Sequence, residues 1–294
     1  MDASRSILSA KLRHSIAPLS GEPTVVSLSD VHGHLEAARS ALLAPADHPD
    51  YEPVVTVGED GRLEWAGNDY VLAFNGDLVN RGPDSAAVLE LVDCLRERAP
   101  AGRVRYNIGN HETGLFFRDV YPSDDCFTAR ATESTVRAFL ESVLAGRVTV
   151  AFEGHRYVHT HAGHPDGVDP VTANEALAEA ASRLLEGLGT EDDERIQRAV
   201  YDAFPNLFAA GRDASAGCLW LKLERLPADA PRQLVGHTPS ERPRRKGNVI
   251  AGDLIGTNLE RDGGEGVLLE APGEVLALTR SADGGVERTV LERG

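Results

Sequence analysis

Residues 24–34 read Thr-Val-Val-Ser-Leu-Ser-Asp-Val-His-Gly-His, an apolar β-type run that ends on Asp30, His32 and a glycine turn. Side chains alternate faces along a strand, so Asp30 and His32 share one side while Val31 points to the other. A carboxylate and an imidazole two residues apart can hold one cation. An exposed turn can carry the same letters, so the reading depends on whether other strands end in the same way.

Apolar runs at 71–75, 104–108, 157–160 and 233–235 each stop at polar residues next to a glycine. The first continues as Gly76-Asp77-Leu78-Val79-Asn80-Arg81-Gly82-Pro83. The carboxylate of Asp77 has two oxygens and can bridge two cations. Arg81, on a tight Gly-Pro turn, suits a two-pronged grip on phosphate better than a loop salt bridge, given its neighbours. Gly109-Asn110-His111-Glu112 offers an amide oxygen as a neutral ligand and, beside it, an imidazole free to move a proton. His161-Ala162-Gly163 and Gly236-His237-Thr238-Pro239 add one histidine each, with His159 competing for the role of His161 because both fall on one strand face. Carboxylate, imidazole and amide donors without thiolate suit Mn, Fe or Zn.

Helical patterns separate these runs. One has Val88, Leu91, Val92 and Leu95 behind the cap candidates Asp84 and Ser85; another has Val136, Phe139, Leu140, Val143 and Leu144. Strand-helix alternation predicts an α/β sheet, whose ligands sit beyond the carboxyl ends of the strands. Residues 54–65 read as a hairpin around Gly58-Glu59-Asp60-Gly61. Two amphipathic patterns within 174–204 predict a helical cap, spanning about 165–217 and inserted in a single catalytic domain of 1–294. Short apolar runs between 247 and 290 predict antiparallel strands closing the sheet.

The 294 residues carry a formal net charge of −16, which opposes binding to free nucleic acid. The cations are almost all Arg, with lysine only at Lys11, Lys222 and Lys246. A salt-rich cytosol and a GC-rich genome account for that bias equally well. Cys94, Cys126 and Cys218 form no CxxC pair and read as inert core thiols. Neither an apolar run of membrane-spanning length nor a secretory signal is visible, so a cytoplasmic location without membrane contact is expected.

In order and spacing, Asp-x-His, Gly-Asp-x-x-x-Arg-Gly, Gly-Asn-His-Glu, His-Ala-Gly and Gly-His-Thr resemble the calcineurin-like metallophosphoesterases, in their phosphoprotein phosphatase branch. The match runs from Val25 to about Asp253. It implies a four-layer α/β sandwich and a metal-dependent phosphoesterase. One cation would be held by Asp30 and His32 and a second by Asn110, His161 and His237, with Asp77 bridging. Arg81 would hold phosphate oxygens together with Asn110, and His111 would be the general acid. Two divalent ions, Mn by this reading, would sit about 3.5–4 Å apart and activate a bridging hydroxide for in-line attack on phosphorus.

The resemblance is specific in its departures. Asn80 stands where protein phosphatases of the branch usually have an Asp that orients the catalytic histidine, and an amide supports imidazolium less well. The turn from Gly76 to Ser85 is instead similar to that of symmetrical diadenosine tetraphosphate hydrolases. A dinucleoside polyphosphate is therefore the favoured substrate, and the alternative is a bacterial-type serine/threonine protein phosphatase acting on phosphoprotein. Leu219-Trp220-Leu221-Lys222 resembles a Leu-Trp-x-Arg stretch of those hydrolases with Lys222 in place of Arg, leaving Arg212 as the reserve phosphate contact. An inactive metal-binding scaffold would need neither His111 nor Arg81.

Overall fold

In chain order, β1 (Thr24–Leu28) leads into α1 (Leu35–Asp47), the hairpin β2 (Val55–Val57) and β3 (Leu63–Trp65), β4 (Tyr70–Asn75), α2 (Ser85–Arg98) and β5 (Val104–Asn107). There follow α3 (Glu133–Leu144), β6 (Ala151–Glu153), β7 (Val158–Thr160), α4 (Pro170–Gly187), α5 (Asp193–Ala203), α6 (Pro205–Phe208) and β8 (Gln233–Val235). The chain closes with β9 (Arg244–Lys246), β10 (Val249–Ala251), α7 (Ile255–Asn258), β11 (Gly266–Ala271), β12 (Glu274–Arg280) and β13 (Val286–Arg293). These elements come from a computed structural model, which describes residues 19–120, 126–211 and 215–294.

Two sheets carry the architecture. The larger runs β13-β12-β11-β1-β4-β5, with β1, β4 and β5 parallel and the late strands added as an antiparallel meander. The smaller runs β6-β7-β8-β10-β9, with β7, β8 and β10 parallel. They pack face to face: Tyr157, Leu234 and Ile250 of one layer meet Leu268, Val275 and Ala277 of the other. Phe152 closes on Val25, Val71 and Ala73 in the same way. Helices α1 and α2 cover the larger sheet, while α3 and α4 pack together with α4 lying against β6. The product is a mixed α/β sandwich, its α/β class predicted by strand-helix alternation and its sandwich form by the family resemblance.

The late segment differs from its expected all-antiparallel form. Its first part, Val249–Ala251, pairs in parallel with β8 in the smaller sheet, and only β11 to β13 form the antiparallel extension. A three-residue apolar run is the same for either partner, so its letters cannot choose the sheet. The hairpin around residues 58–61 forms as expected, with Val55 opposite Trp65.

Polar side chains join the layers directly beneath the strand ends. Asn75 Nδ2 donates to the carbonyls of Thr160 at 2.8 Å and Leu234 at 3.2 Å. Asn107 Nδ2 donates to Asn75 Oδ1 at 2.9 Å and to the carbonyl of His159 at 3.1 Å. All these groups are satisfied, so the ladder fixes the register between sheets at small cost. Two residues beyond it lie Asp77 and His161.

Helices α4 to α6 are tied to the smaller sheet and to the chain following His111. Asn174 in α4 accepts the N–H of Val150 at 2.6 Å and donates to the carbonyl of Ala151 at 2.8 Å. Phe208 in α6 packs edge-on to Phe117 at 4.8 Å, joining this segment to the chain just past His111. Of the cysteines, Cys218 is buried while Cys94 and Cys126 are half-exposed, so only the first is a core thiol as expected.

Candidate metal centre

Six non-glycine residues take positive φ among the described residues: Asp30, His32, Asp77, Asn80, Arg81 and His237. Five of the six are site candidates nominated by the motifs, and the sixth, Asn80, stands where protein phosphatases of the branch usually have an Asp. Left-handed backbone is costly for residues with a Cβ and survives only where the surroundings enforce it. Here the first two strand-end turns bond to one another: Asp30 N–H to the Gly76 carbonyl at 2.9 Å, His32 N–H to the Asp77 carbonyl at 2.8 Å. Glycine is needed at two close approaches, since a Cβ on Gly109 would strike Asp77 Oδ1 and one on Gly236 would strike Asp30 Oδ2.

The side chains converge. His32 Nε2 lies 3.6 Å from Asp77 Oδ2 and 4.0 Å from Asp30 Oδ1. His161 Nε2 lies 3.4 Å from the same Asp77 oxygen and 3.1 Å from Asn110 Oδ1, which is 2.9 Å from His237 Nδ1. Asp77 therefore belongs to two groups of cation-binding size, one with His32 and His111, the other with His161 and His237. Asp30 stands at the edge, its carboxylate accepting the N–H of His237 at 2.9 Å.

Each imidazole nominated as a ligand has one nitrogen tied to a carbonyl. His32 Nδ1 faces the Val79 carbonyl at 3.2 Å, His161 Nδ1 that of Asn75 at 3.1 Å, and His237 Nε2 that of Trp220 at 2.8 Å. A carbonyl only accepts, so each of those nitrogens donates and the opposite lone pair points into the site. Lone pairs, carboxylate oxygens and an amide oxygen thus face one another across about 3 to 4 Å, and only a positive charge makes that arrangement favourable. The donor set fits divalent cations. His111 is different in kind: its Nδ1 faces Asn80 Nδ2 at 3.3 Å and its Nε2 faces Arg81 Nη2 at 3.2 Å.

The electrostatics divide these histidines differently: His32, His237 and His111 are lowered, while His161 is raised. Burial pulls His32 down to about 3, and burial with the nearby His161 pulls His237 down to about 4, leaving both neutral with free lone pairs. His161 goes the other way: burial opposes its charge, but Asp77 and then Asp30 push it up to about 10. A proton thus fills the gap beside Asp77 until a cation replaces it, which makes cation uptake dependent on pH. Burial raises Asp30 to about 6, and burial with the neighbouring Asp30 and Asp77 charges raises Asp253 to about 9.

Three residues go beyond what the motifs nominate. Glu112 is fully buried and accepts the N–H groups of Asp77 at 3.0 Å, Leu78 at 2.7 Å and Gly109 at 2.7 Å, clamping two strand-end turns together. It sits inside the Gly-Asn-His-Glu motif, which was its only signal. Thr128 holds Asn80 from a separate turn through its N–H, 3.0 Å from Oδ1. Asp253, where the resemblance ends, is buried and feels the charges of Asp30 and Asp77. His159 is excluded from the site: it lies one β-repeat deeper, paired with Glu270 at 2.7 Å and stacked on Phe152 at 4.6 Å. Lys222 is exposed and near enough to His237 to help lower its pKa. Arg212 lies outside the described residues.

The family model for calcineurin-like phosphoesterase matches residues 23–257, which include the whole of this cluster. The chain belongs to that family. Solved structures of similar fold include a cold-active protein tyrosine phosphatase at 1.1 Å, with TM-score 0.60 and 18% identity over 97% of this chain and 83% of that one. The cold-active protein-tyrosine phosphatase of a psychrophilic Shewanella has TM-score 0.55 and 18% identity over 92% of this chain and 81% of that one. A protein serine/threonine phosphatase from Saccharomyces cerevisiae has TM-score 0.49 and 15% identity over 99% and 89%. At such identity the likeness to the two tyrosine phosphatase structures concerns the fold. The family makes this chain a metal-dependent phosphoesterase, a hydrolase of phosphorylated substrates, and no helix among the described residues is long and apolar enough to cross a membrane.

Proposed function

We propose that this phosphoesterase cleaves a phosphoanhydride of a dinucleoside polyphosphate, in the cytoplasm and without nucleic-acid or membrane partners. One cation would be held by Asp30 and His32 and the other by Asn110, His161 and His237, with Asp77 between them. The observation carrying this assignment is the carbonyl-tied nitrogen of each ligand histidine, set against a His111 that has no such tie. Bound divalent ions, Mn in our reading with Fe or Zn as the alternatives, would activate water and offset charge on the transferring phosphoryl group.

The chain's own groups do the rest. Arg81, on its strained turn, would grip non-bridging phosphate oxygens with two parallel N–H donors. Asn110 adds an amide beside the same phosphate. His111 Nε2, which accepts from Arg81 Nη2 at 3.2 Å in this structure, would carry the proton for the departing oxygen once Arg81 turns to the phosphate. Asn80 gives this proton transfer less support than a carboxylate would, which disfavours expelling a serine alkoxide and costs little when the leaving group is itself a phosphate. A serine/threonine protein phosphatase is the second reading. The segment 165–217 would be a helical cap inserted in the single catalytic domain 1–294; just beyond it the Trp220 carbonyl meets His237 Nε2 at 2.8 Å, and Lys222 and Arg212 are the reserve contacts for a distal phosphate.

The deciding experiment compares kcat/KM for diadenosine tetraphosphate and a phosphoserine peptide on manganese-loaded protein. A tenfold advantage for the peptide, about 1.4 kcal/mol in transition-state stabilisation, would replace the nucleotide reading by the protein-phosphatase one. Asp77→Asn is expected to abolish turnover on both and to lower metal content, because an amide removes charge shared by two cations.

A further inference from the structure

Beside His111 and Arg81 opens a cavity of about 720 Å³ that none of the six nominated metal ligands lines. Its wall continues from those two residues to Phe127, Arg130 and the start of α3 at Thr132 and Thr135. Two arginines face it, and no acidic side chain does among the described residues that line it. That is notable in a chain with 46 acidic and 30 basic residues. The cavity is within the range of about 300–1,000 Å³ that encloses a nucleotide-sized ligand. A serine side chain would leave most of it empty.

We infer that this cavity is the leaving-group subsite and that it takes a nucleoside phosphate, with Arg130 holding its phosphate and the half-buried ring of Phe127 stacking on its base. The inference rests on His111 and Arg81 acting as proposed above. A group that protonates the departing oxygen must touch it, so the remainder of the leaving group lies on the side of His111 turned away from the metal ligands. An aromatic face accepts any base, and a guanidinium matches phosphate geometry. In the reaction, a water oxygen forms the new bond to phosphorus and the bridging P–O bond breaks. Its electron pair leaves on the phosphate oxygen of the departing nucleotide, and the protons of water are shared between the two product phosphates and the medium. Arg130 and Phe127 thereby become specificity determinants, with no role in activating water.

Arg130→Ala and Phe127→Ala test this in the full chain loaded with manganese, alongside Arg62→Ala on a remote face as a control. The ratio of kcat/KM for diadenosine tetraphosphate to that for p-nitrophenyl phosphate is expected to fall tenfold or more in both variants and to hold in the control. Equilibrium titration with ADP should show a similar weakening, while inorganic phosphate binds as before. Arg130→Lys, which keeps the charge, should recover part of the ADP affinity and guards against a folding defect in the alanine variant. An unchanged ratio or unchanged ADP affinity overturns the subsite, as does an Arg130-dependent preference for a phosphopeptide. Failure of the wild type to hydrolyse either substrate would instead defeat the function proposed above, and the ADP titration would still read the subsite.

Discussion

Thr128 donates its backbone N–H to Asn80 Oδ1 at 3.0 Å, and that bond turns the other end of the Asn80 amide, its NH₂ group, toward His111 Nδ1 at 3.3 Å. A backbone N–H cannot accept, so the amide orientation is fixed and His111 meets a donor where an aspartate would have offered an acceptor. The imidazolium form of His111 is thereby unsupported on both its nitrogens. Burial first, and then Arg81, lower its pKa in the same direction.

Asn80→Asp should restore an acceptor to Nδ1 while its second oxygen keeps the Thr128 bond. Turnover of a phosphoserine peptide is expected to rise by roughly tenfold, a part of the about 10²–10⁴ that general-acid assistance supplies. Diadenosine tetraphosphate, which needs little protonation of its leaving group, should change far less. Parallel changes on both substrates, measured as kcat under saturation, would mean that Asn80 serves only to hold the Thr128 turn.

His111→Ala should keep two metal ions per chain and lose about 10² or more in kcat, with the loss largest for poor leaving groups. The outcome is informative because His111 also lies within ligand distance of the group containing His32 and Asp77. Elemental analysis showing one ion per chain would reassign it as a ligand.

Glu112→Gln replaces an acceptor of three backbone N–H groups by a side chain with one acceptor end and one donor end. Losing charge-assisted hydrogen bonds at a fully buried position should cost about 2–4 kcal/mol of stability, read from denaturant unfolding. Because the clamp orients both Asp77 and the Asn110 turn, manganese affinity should also fall by about 10- to 100-fold. A destabilised variant with unaltered manganese binding would confine Glu112 to the fold.

Acid should weaken the protein through the contact between its sheets. Burial alone would raise Glu270, but the hydrogen bond and charge of His159 and the N–H groups of Arg156 and Tyr157 outweigh it and hold the carboxyl below 4.5. A carboxyl depressed in the folded state stabilises fully above its unfolded value, and that contribution is lost as pH falls from 4.5 through the folded value. Melting temperature should therefore drop steeply below about pH 4.5, and Glu270→Gln should lower it at neutral pH while flattening the acid slope. An acid slope identical in the variant would place the acid sensitivity elsewhere.

The sequence alone determined the strand ends and the chemistry attached to them. Asp30, His32, Asp77, Asn110, His161 and His237 each follow an apolar run within three residues of a glycine, and alternation along a strand is a local property that letters record. His159 against His161 was the point where local pattern ran out, because both fall on one face and only depth between the sheets separates them. The tertiary structure decided what depends on groups far apart in the chain: the carbonyls of Asn75, Val79 and Trp220 that orient the imidazoles nominated as ligands, the Glu112 clamp, the Thr128 lock on Asn80, and the burial of Asp253 beside Asp30. Those interactions are fixed by backbone groups, which every residue carries, and by desolvation, which depends on what surrounds a side chain. Neither leaves a mark in residue types or their spacing.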